Sequence, residues 1–349
     1  MSYYIRDALA APNVLSTRRP TINEYFLSSY TLSIYSGCEF GCPYCDGWVY
    51  DPRSFSQQIR VPLDLPQRLA IELNQVDRGD LIAITALSDP YQPAEQSFRI
   101  MRQVLQHFAD RGQPCLIMTK SPAILEDISL LQRINEQSLA IVMTTLITLD
   151  HNLAERLEGR APPPTLRLDM LTALQRAGIP VGVAVVPVIP YVNDTDYAMR
   201  RLLQACAERK VDFVVWDYLY VPDRYHRNRV SEMLAQIGSY PSSYYRDIYG
   251  DQIVVNADYR AERNLQFLKR CDMLGLNVHA PHRLYMGKLA PRNEAALVLK
   301  HTGFRSLLSG QQRVSLLHRE LADQIYTGTV TTEQIQSSPL AATLQGILG

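Results

Sequence analysis

Residues 35–48 read YSGCEFGCPYCDGW and place Cys38, Cys42 and Cys45 within eight positions, directly behind the apolar run YTLSIY. Three thiols so close, and odd in number, point to metal rather than to a disulfide, because soft sulfur selects zinc or iron–sulfur clusters. A four-iron cluster normally takes four cysteines. With three, one iron keeps a coordination position open for a small molecule. A zinc site needs a fourth ligand, usually from a Cys or His pair at short spacing, and no such pair stands nearby. Incidental structural thiols are the remaining alternative.

The spacing, three residues and then two, resembles the signature of the radical SAM superfamily. In that family S-adenosylmethionine (SAM) chelates the open iron of a [4Fe-4S] cluster, and an electron from the cluster splits its carbon–sulfur bond. The resemblance implies Cys38, Cys42 and Cys45 as metal ligands. It also implies that Tyr44, the aromatic residue before the third cysteine, lies against the adenosine.

Around this loop the chain has an ordinary globular composition: 349 residues, 46% hydrophobic and 20% charged. The longest apolar stretch, VGVAVVPVIP, is half a membrane span, and the N-terminus lacks the pattern of a signal peptide, so a soluble, cytoplasmic protein without a membrane partner is expected. Cys115, Cys206 and Cys271 are scattered singly, in keeping with a reducing compartment. Net charge is zero, which gives no general advantage to polyanion binding. Residues 283–319 nevertheless carry seven basic residues against the single acid Glu294. That stretch is read either as a phosphate-binding face or as a solvated helical surface.

Short β-branched runs recur at Thr31–Tyr35, Leu81–Ala86, Cys115–Thr119, Ala140–Thr145, Val181–Val186 and Val211–Trp216, separated by stretches of helical spacing. Continuous apolar strands alternating with amphipathic helices predict a parallel sheet covered by helices. Six βα units predict an α/β fold, a partial (β/α)6 TIM-like barrel with a helical C-terminal extension. Functional residues in such folds follow the C-terminal ends of the strands. The expected division is an extension over 1–29, a core over 30–221, an insertion with a last helix and a seventh strand at LNVHAPH over 222–287, and a helical region over 288–349.

Strand-end positions then supply the site. Ser88 and Asp89 leave the second strand and can point toward the cofactor, although Asp89 before Pro90 can equally serve a local turn. Lys120 follows the third strand and can meet the cofactor carboxylate or reach water. Tyr191, Asp217 and Tyr218 follow strands five and six as substrate-cavity candidates, and His279 and His282 are expected at the mouth, or else as satisfied histidines elsewhere. The run TKSP, the pairs Leu149-Asp150 and Leu157-Glu158, Arg160-Ala161-Pro162, and AGIPVGVAVVPVIPYVND, in this order, resemble the spore photoproduct lyase-like branch of radical SAM proteins. That likeness implies Ser88, Lys120 and Thr145 as cofactor contacts and places Pro187 and Ile189 near the adenine. Two positions depart from the lyase. Leu87 stands where the lyase has a hydrogen-donating cysteine, and Asp46 where it has a tyrosine.

The resemblance therefore implies a radical enzyme whose 5′-deoxyadenosyl radical abstracts a substrate hydrogen, served by a flavodoxin- or ferredoxin-type electron donor. A damaged or modified nucleic acid is one candidate substrate, favoured by the likeness, by the basic stretch over 283–319 and by the tyrosine- and arginine-rich residues 222–257. A peptide or small metabolite is the other. A non-enzymatic iron–sulfur or zinc protein is the alternative from a different class.

Overall fold

The computed structural model describes residues 2–8, 11–84, 88–238 and 242–349, with the side chains of 242–244 left aside. Among the described residues eight strands are present: β1 (Tyr3–Asp7), β2 (Tyr30–Thr31), β3 (Gln58–Pro62), β4 (Ile82–Ile84), β5 (Cys115–Met118), β6 (Ala140–Thr145), β7 (Val181–Val188) and β8 (Phe213–Tyr218). Six form one sheet in the order β2-β4-β5-β6-β7-β8, every neighbouring pair parallel. The sheet curls into a half-barrel. All six C-terminal ends therefore open on one rim, which is where the cysteine loop begins.

Alternation along the strands divides the core in two. Ile82, Ile84, Ile117, Val142, Val183 and Val214 pack outward against the crossover helices. Leu116, Ile141, Met143, Ala184, Phe213 and Val215 face the other way and meet Tyr285, Leu297, Ile325, Tyr326 and Leu344. The C-terminal helices Pro291–Leu308, Gln312–Thr327 and Ala341–Leu348 thus fill the concave side of the half-barrel instead of standing beside it.

Residues 1–29 also do more than lie on the surface. β1 pairs in parallel with β3 in a separate two-stranded sheet. Ile22 and Leu27 join the inner core. Arg18 reaches Asp80 at 2.9 Å, and Asp80 in turn accepts from Ser29 and from Asn293 on the C-terminal helix.

No seventh strand forms at 276–281. The Val214 N–H donates to the Asn277 carbonyl at 2.8 Å, after which the chain turns away through Pro281 into the C-terminal helices. Residues 222–257 contain two helices, Arg224–Gln236 and Ser242–Tyr249. Thr195 caps the helix Asp196–Glu208. Among the described residues, no helix is long and apolar enough to cross a membrane.

The basic stretch is partly paired within the fold. Arg283 pairs with Asp212, Lys300 with Asp323, Arg305 with Asp272, and Arg319 with Glu24, all at 3.0 Å or less. Four of the seven cations are therefore neutralised by acids brought in from other parts of the chain.

Candidate active site

The loop after β2 is set by several fixed points. Gly37 adopts φ +87, and a Cβ there would lie 2.4 Å from the carbonyl oxygen of Gln58, so only glycine lets the loop pass this close. The Cys38 N–H donates to the Phe55 carbonyl at 2.9 Å, and the Glu39 N–H to the Gln92 side chain at 2.8 Å. Ser88 donates its hydroxyl to the Tyr35 carbonyl at 2.7 Å, tying the end of β4 to the loop. The Trp48 ring N–H donates to the Cys42 carbonyl at 2.9 Å and closes the far end.

This loop walls a cavity of about 330 Å³ at the C-terminal ends of the strands. Its volume falls in the range of cofactor-sized pockets, about 300–1,000 Å³. Cys38, Cys42, Tyr44, Cys45 and Asp46 come from the loop; Ser88, Asp89, Lys120, Thr145, Pro187 and Tyr218 come from successive strand ends. Phe26, Met118 and Val186 also line it, Phe26 coming from the segment that enters the concave core.

Asp89 is a latch between two strand ends. It accepts from the Tyr91 N–H at 2.9 Å, the Thr119 hydroxyl at 2.6 Å and the Lys120 N–H at 2.7 Å. Burial nevertheless pushes its carboxyl up, because the loss of water outweighs those three donors. Asp46, at the mouth, keeps an exposed side chain, yet its carboxyl is pushed up to about 6, first by the surrounding protein and then by the charge of Asp217.

Behind the wall lies a buried ionic group of Lys120, Glu158 and Arg167. Glu158, at the end of the helix His151–Glu158, accepts from Arg167 Nη1 at 2.6 Å and from the Tyr44 hydroxyl, and lies 3.5 Å from Lys120 Nζ. Arg167 also donates to the Thr145 and Pro162 carbonyls at 3.0 and 2.7 Å. Burial alone raises the carboxyl of Glu158, but Lys120 and Arg167 reverse this and hold it below its ordinary value. Burial likewise lowers the ammonium of Lys120, and Cys42 and Glu158 more than restore it.

Burial pushes the thiols of Cys38 and Cys45 up to about 12, and that of Cys42 upward as well. Among the described residues no three His, Cys, Asp or Glu side chains converge as a single metal ion requires. The three thiols instead spread along one wall of a shared cavity. A cuboidal cluster takes one iron to each cysteine, so its ligands need not meet at a point, and the donor set and the available volume fit such a group.

Other expected site residues fall elsewhere. Ile189 is fully buried beside the cavity without lining it, its N–H donating to Asn193. Tyr191 packs edge-on against Tyr259. Asp217 pairs with Arg260 at 3.0 Å, outside the lining. His279 lies in the core, stacked on His301 and against Phe304, and is held well below the ordinary imidazole value by burial. His282 pairs with Glu294 at 2.7 Å. Both histidines serve the junction with the C-terminal helices, not the mouth. The position of Leu87 lies outside the described residues.

Comparison with known proteins agrees with this geometry. Residues 32–203 match the model of the Radical SAM superfamily. An uncharacterized protein of Mycobacterium tuberculosis is 30% identical over 182 residues, 50% of this chain and 54% of that protein. An uncharacterized protein of Acidianus two-tailed virus is 26% identical over 235 residues, 62% of this chain and 76% of its own length. The chain thus spans about half the length of the mycobacterial relative. Among solved structures, a mutant of spore photoproduct lyase superposes with a TM-score of 0.61 at 12% identity, over 79% of this chain and 81% of that one. Spore photoproduct lyase complexed with dinucleoside spore photoproduct gives 0.59 at 12% identity over the same shares. At such identity the likeness is one of fold. With the family match over residues 32–203 and six parallel strands presenting three cysteines at one rim, residues 32–203 are a domain of the radical SAM superfamily.

Proposed function

We propose that the cavity holds a [4Fe-4S] cluster on Cys38, Cys42 and Cys45 with SAM beside it, and that the enzyme removes a hydrogen atom from a nucleic-acid substrate at the mouth. The observation that carries the chemistry is the placing of three thiols in one cavity wall together with Ser88, Lys120, Thr145 and Pro187 from four different strand ends. When bound, cluster and cofactor supply the electron and the carbon–sulfur cleavage that yield a 5′-deoxyadenosyl radical.

The chain's own part is to bind, orient and exclude water. Tyr44, its hydroxyl held by Glu158, presents a fixed ring face for adenosine. Lys120 brings a cation to the side of the pocket where a carboxylate can dock. Thr145 and Pro187 offer strand-end backbone, and Phe26, Met118 and Val186 contribute apolar surface that keeps the interior dry. An external one-electron donor of flavodoxin or ferredoxin type completes the system.

The substrate reading rests on the rim. The Arg229 guanidinium lies 3.8 Å from the Trp48 ring centre and donates to the Pro52 carbonyl, while Arg224 lies 4.9 Å from the exposed ring of Tyr225. Tyr220 lines the cavity and Tyr50 stands exposed on the cysteine loop's short helix. Aromatic faces interleaved with guanidinium groups suit stacked bases and phosphates. The test is anaerobic incubation of reconstituted protein with SAM, reductant and single-stranded or damaged oligonucleotide. Substrate-stimulated 5′-deoxyadenosine is the expected result. No 5′-deoxyadenosine under any condition overturns the chemistry; formation that oligonucleotide never stimulates overturns the substrate class.

A further inference from the structure

We propose that Glu158 is a positioning residue that fixes Lys120 and Tyr44 against the cysteine loop, and that Lys120, Glu158 and Arg167 together supply one net positive charge that balances a three-thiolate cluster. The inference rests on the cluster assignment above and goes beyond it to the control of the reduction equilibrium.

The geometry is specific. Glu158 and Arg167 have side chains only 1% exposed, and Lys120 16%. One carboxylate oxygen is committed to Arg167, and the other takes the Tyr44 hydroxyl and faces the Lys120 ammonium. That ammonium also lies 5.8 Å from the Tyr44 ring centre. Tyr44 stands between Cys42 and Cys45, so the carboxylate restrains the loop at the point where two thiols leave it.

Two cations and one anion leave a surplus of one positive charge in a buried place. Leaving a charge uncompensated there is costly, and the one further carboxylate that meets this group among the described residues, Asp89, takes the Lys120 backbone N–H rather than its ammonium and has its own carboxyl pushed up by burial. The matching negative charge is available from the ligands. An oxidised four-iron core carries two positive charges and three thiolates carry three negative ones, so the ligated cluster is negative by one. Net charge near an iron–sulfur cluster is one of the main determinants of its potential. Removing the Glu158 charge adds a positive charge beside the cluster and favours the reduced form; removing the Lys120 charge does the reverse.

The test uses reconstituted full-length protein without SAM, with iron content and a reductive titration followed by EPR. E158Q is expected to shift the reduction equilibrium about tenfold toward the reduced form, about 59 mV for one electron. K120M should shift it by a similar factor the other way, and E158Q/K120M should return to within about threefold of the parent. E158D, which keeps the charge, should stay near the parent. A role confined to holding the loop would move both single variants in the same direction; that result, or two unshifted single variants, overturns the proposal. If E158Q takes up no iron, the double variant decides: restored loading supports the balance and continued loss overturns it. A parent that binds no iron overturns the cluster assignment itself, and this inference with it.

Discussion

Replacing Asp89 separates its charge from its capacity to accept hydrogen bonds. The carboxylate takes three donors, two from the next strand end, and is half-buried in the cavity wall. Burial has pushed its carboxyl up, so ionisation itself is not what stabilises the fold; the accepting oxygens are. Truncation in D89A leaves the Thr119 hydroxyl and the Tyr91 and Lys120 amides without partners. At about 1–3 kcal/mol for each buried unsatisfied group, and allowing for partial relaxation, D89A should cost about 3–5 kcal/mol. D89N keeps one oxygen for Tyr91 and Thr119, turns a donor toward the Lys120 N–H, and sheds the cost of burying charge, so it should cost about 1 kcal/mol. Equilibrium urea unfolding of the metal-free protein at neutral pH measures both. The sign with pH follows from the same shift. A carboxyl raised in the folded state takes up its proton on folding, so the parent gains stability below the unfolded value of 3.8 and loses that share as pH rises through the folded value; D89N lacks this component. A D89N as costly as D89A, or a D89A costing under about 1 kcal/mol, refutes the reasoning.

Three further outcomes follow from the site. Asp46 should titrate near 6 in an NMR titration of the metal-free protein; its folded value exceeds the ordinary 3.8, so the stability it contributes is present at low pH and lost as pH rises through about 6, and D46N flattens that part of the profile. Alkylation of Cys38 and Cys45 in the metal-free protein should still be accelerating at pH 10, where an exposed thiol has levelled off, because burial holds both near 12; a plateau near pH 9 contradicts this. For oligonucleotide binding measured by fluorescence anisotropy, Y225A should weaken affinity by about 1–3 kcal/mol and R224A should reduce the salt slope by about one charge. Unchanged binding in both variants removes the rim from the substrate site.

Much of this architecture is legible in local pattern. The six apolar runs, the helices between them and the cysteine spacing are short-range signals, and they give the half-barrel and the rim from which the site is built. Ser88, Lys120, Thr145 and Pro187 stand together at the cavity because parallel topology places every strand end on one side. What escapes is long-range. Nothing near His279 announces that 276–281 leaves the sheet, since that depends on Pro281 and on C-terminal helices packing into the concavity. The basic stretch looks open because its acids, Glu24, Asp212, Asp272 and Asp323, lie elsewhere or follow it in sequence. Glu158 and Arg167 are visible only as a run of letters, because the partners that give them meaning, Tyr44 and Lys120, arrive from two other strand ends.

The metal content of the purified and anaerobically reconstituted chain decides the cluster assignment. The expected content is about four iron and four acid-labile sulfide per chain, lost together when Cys38, Cys42 and Cys45 are replaced by alanine. One zinc per chain with no sulfide, or iron and sulfide retained by the triple variant, contradicts it.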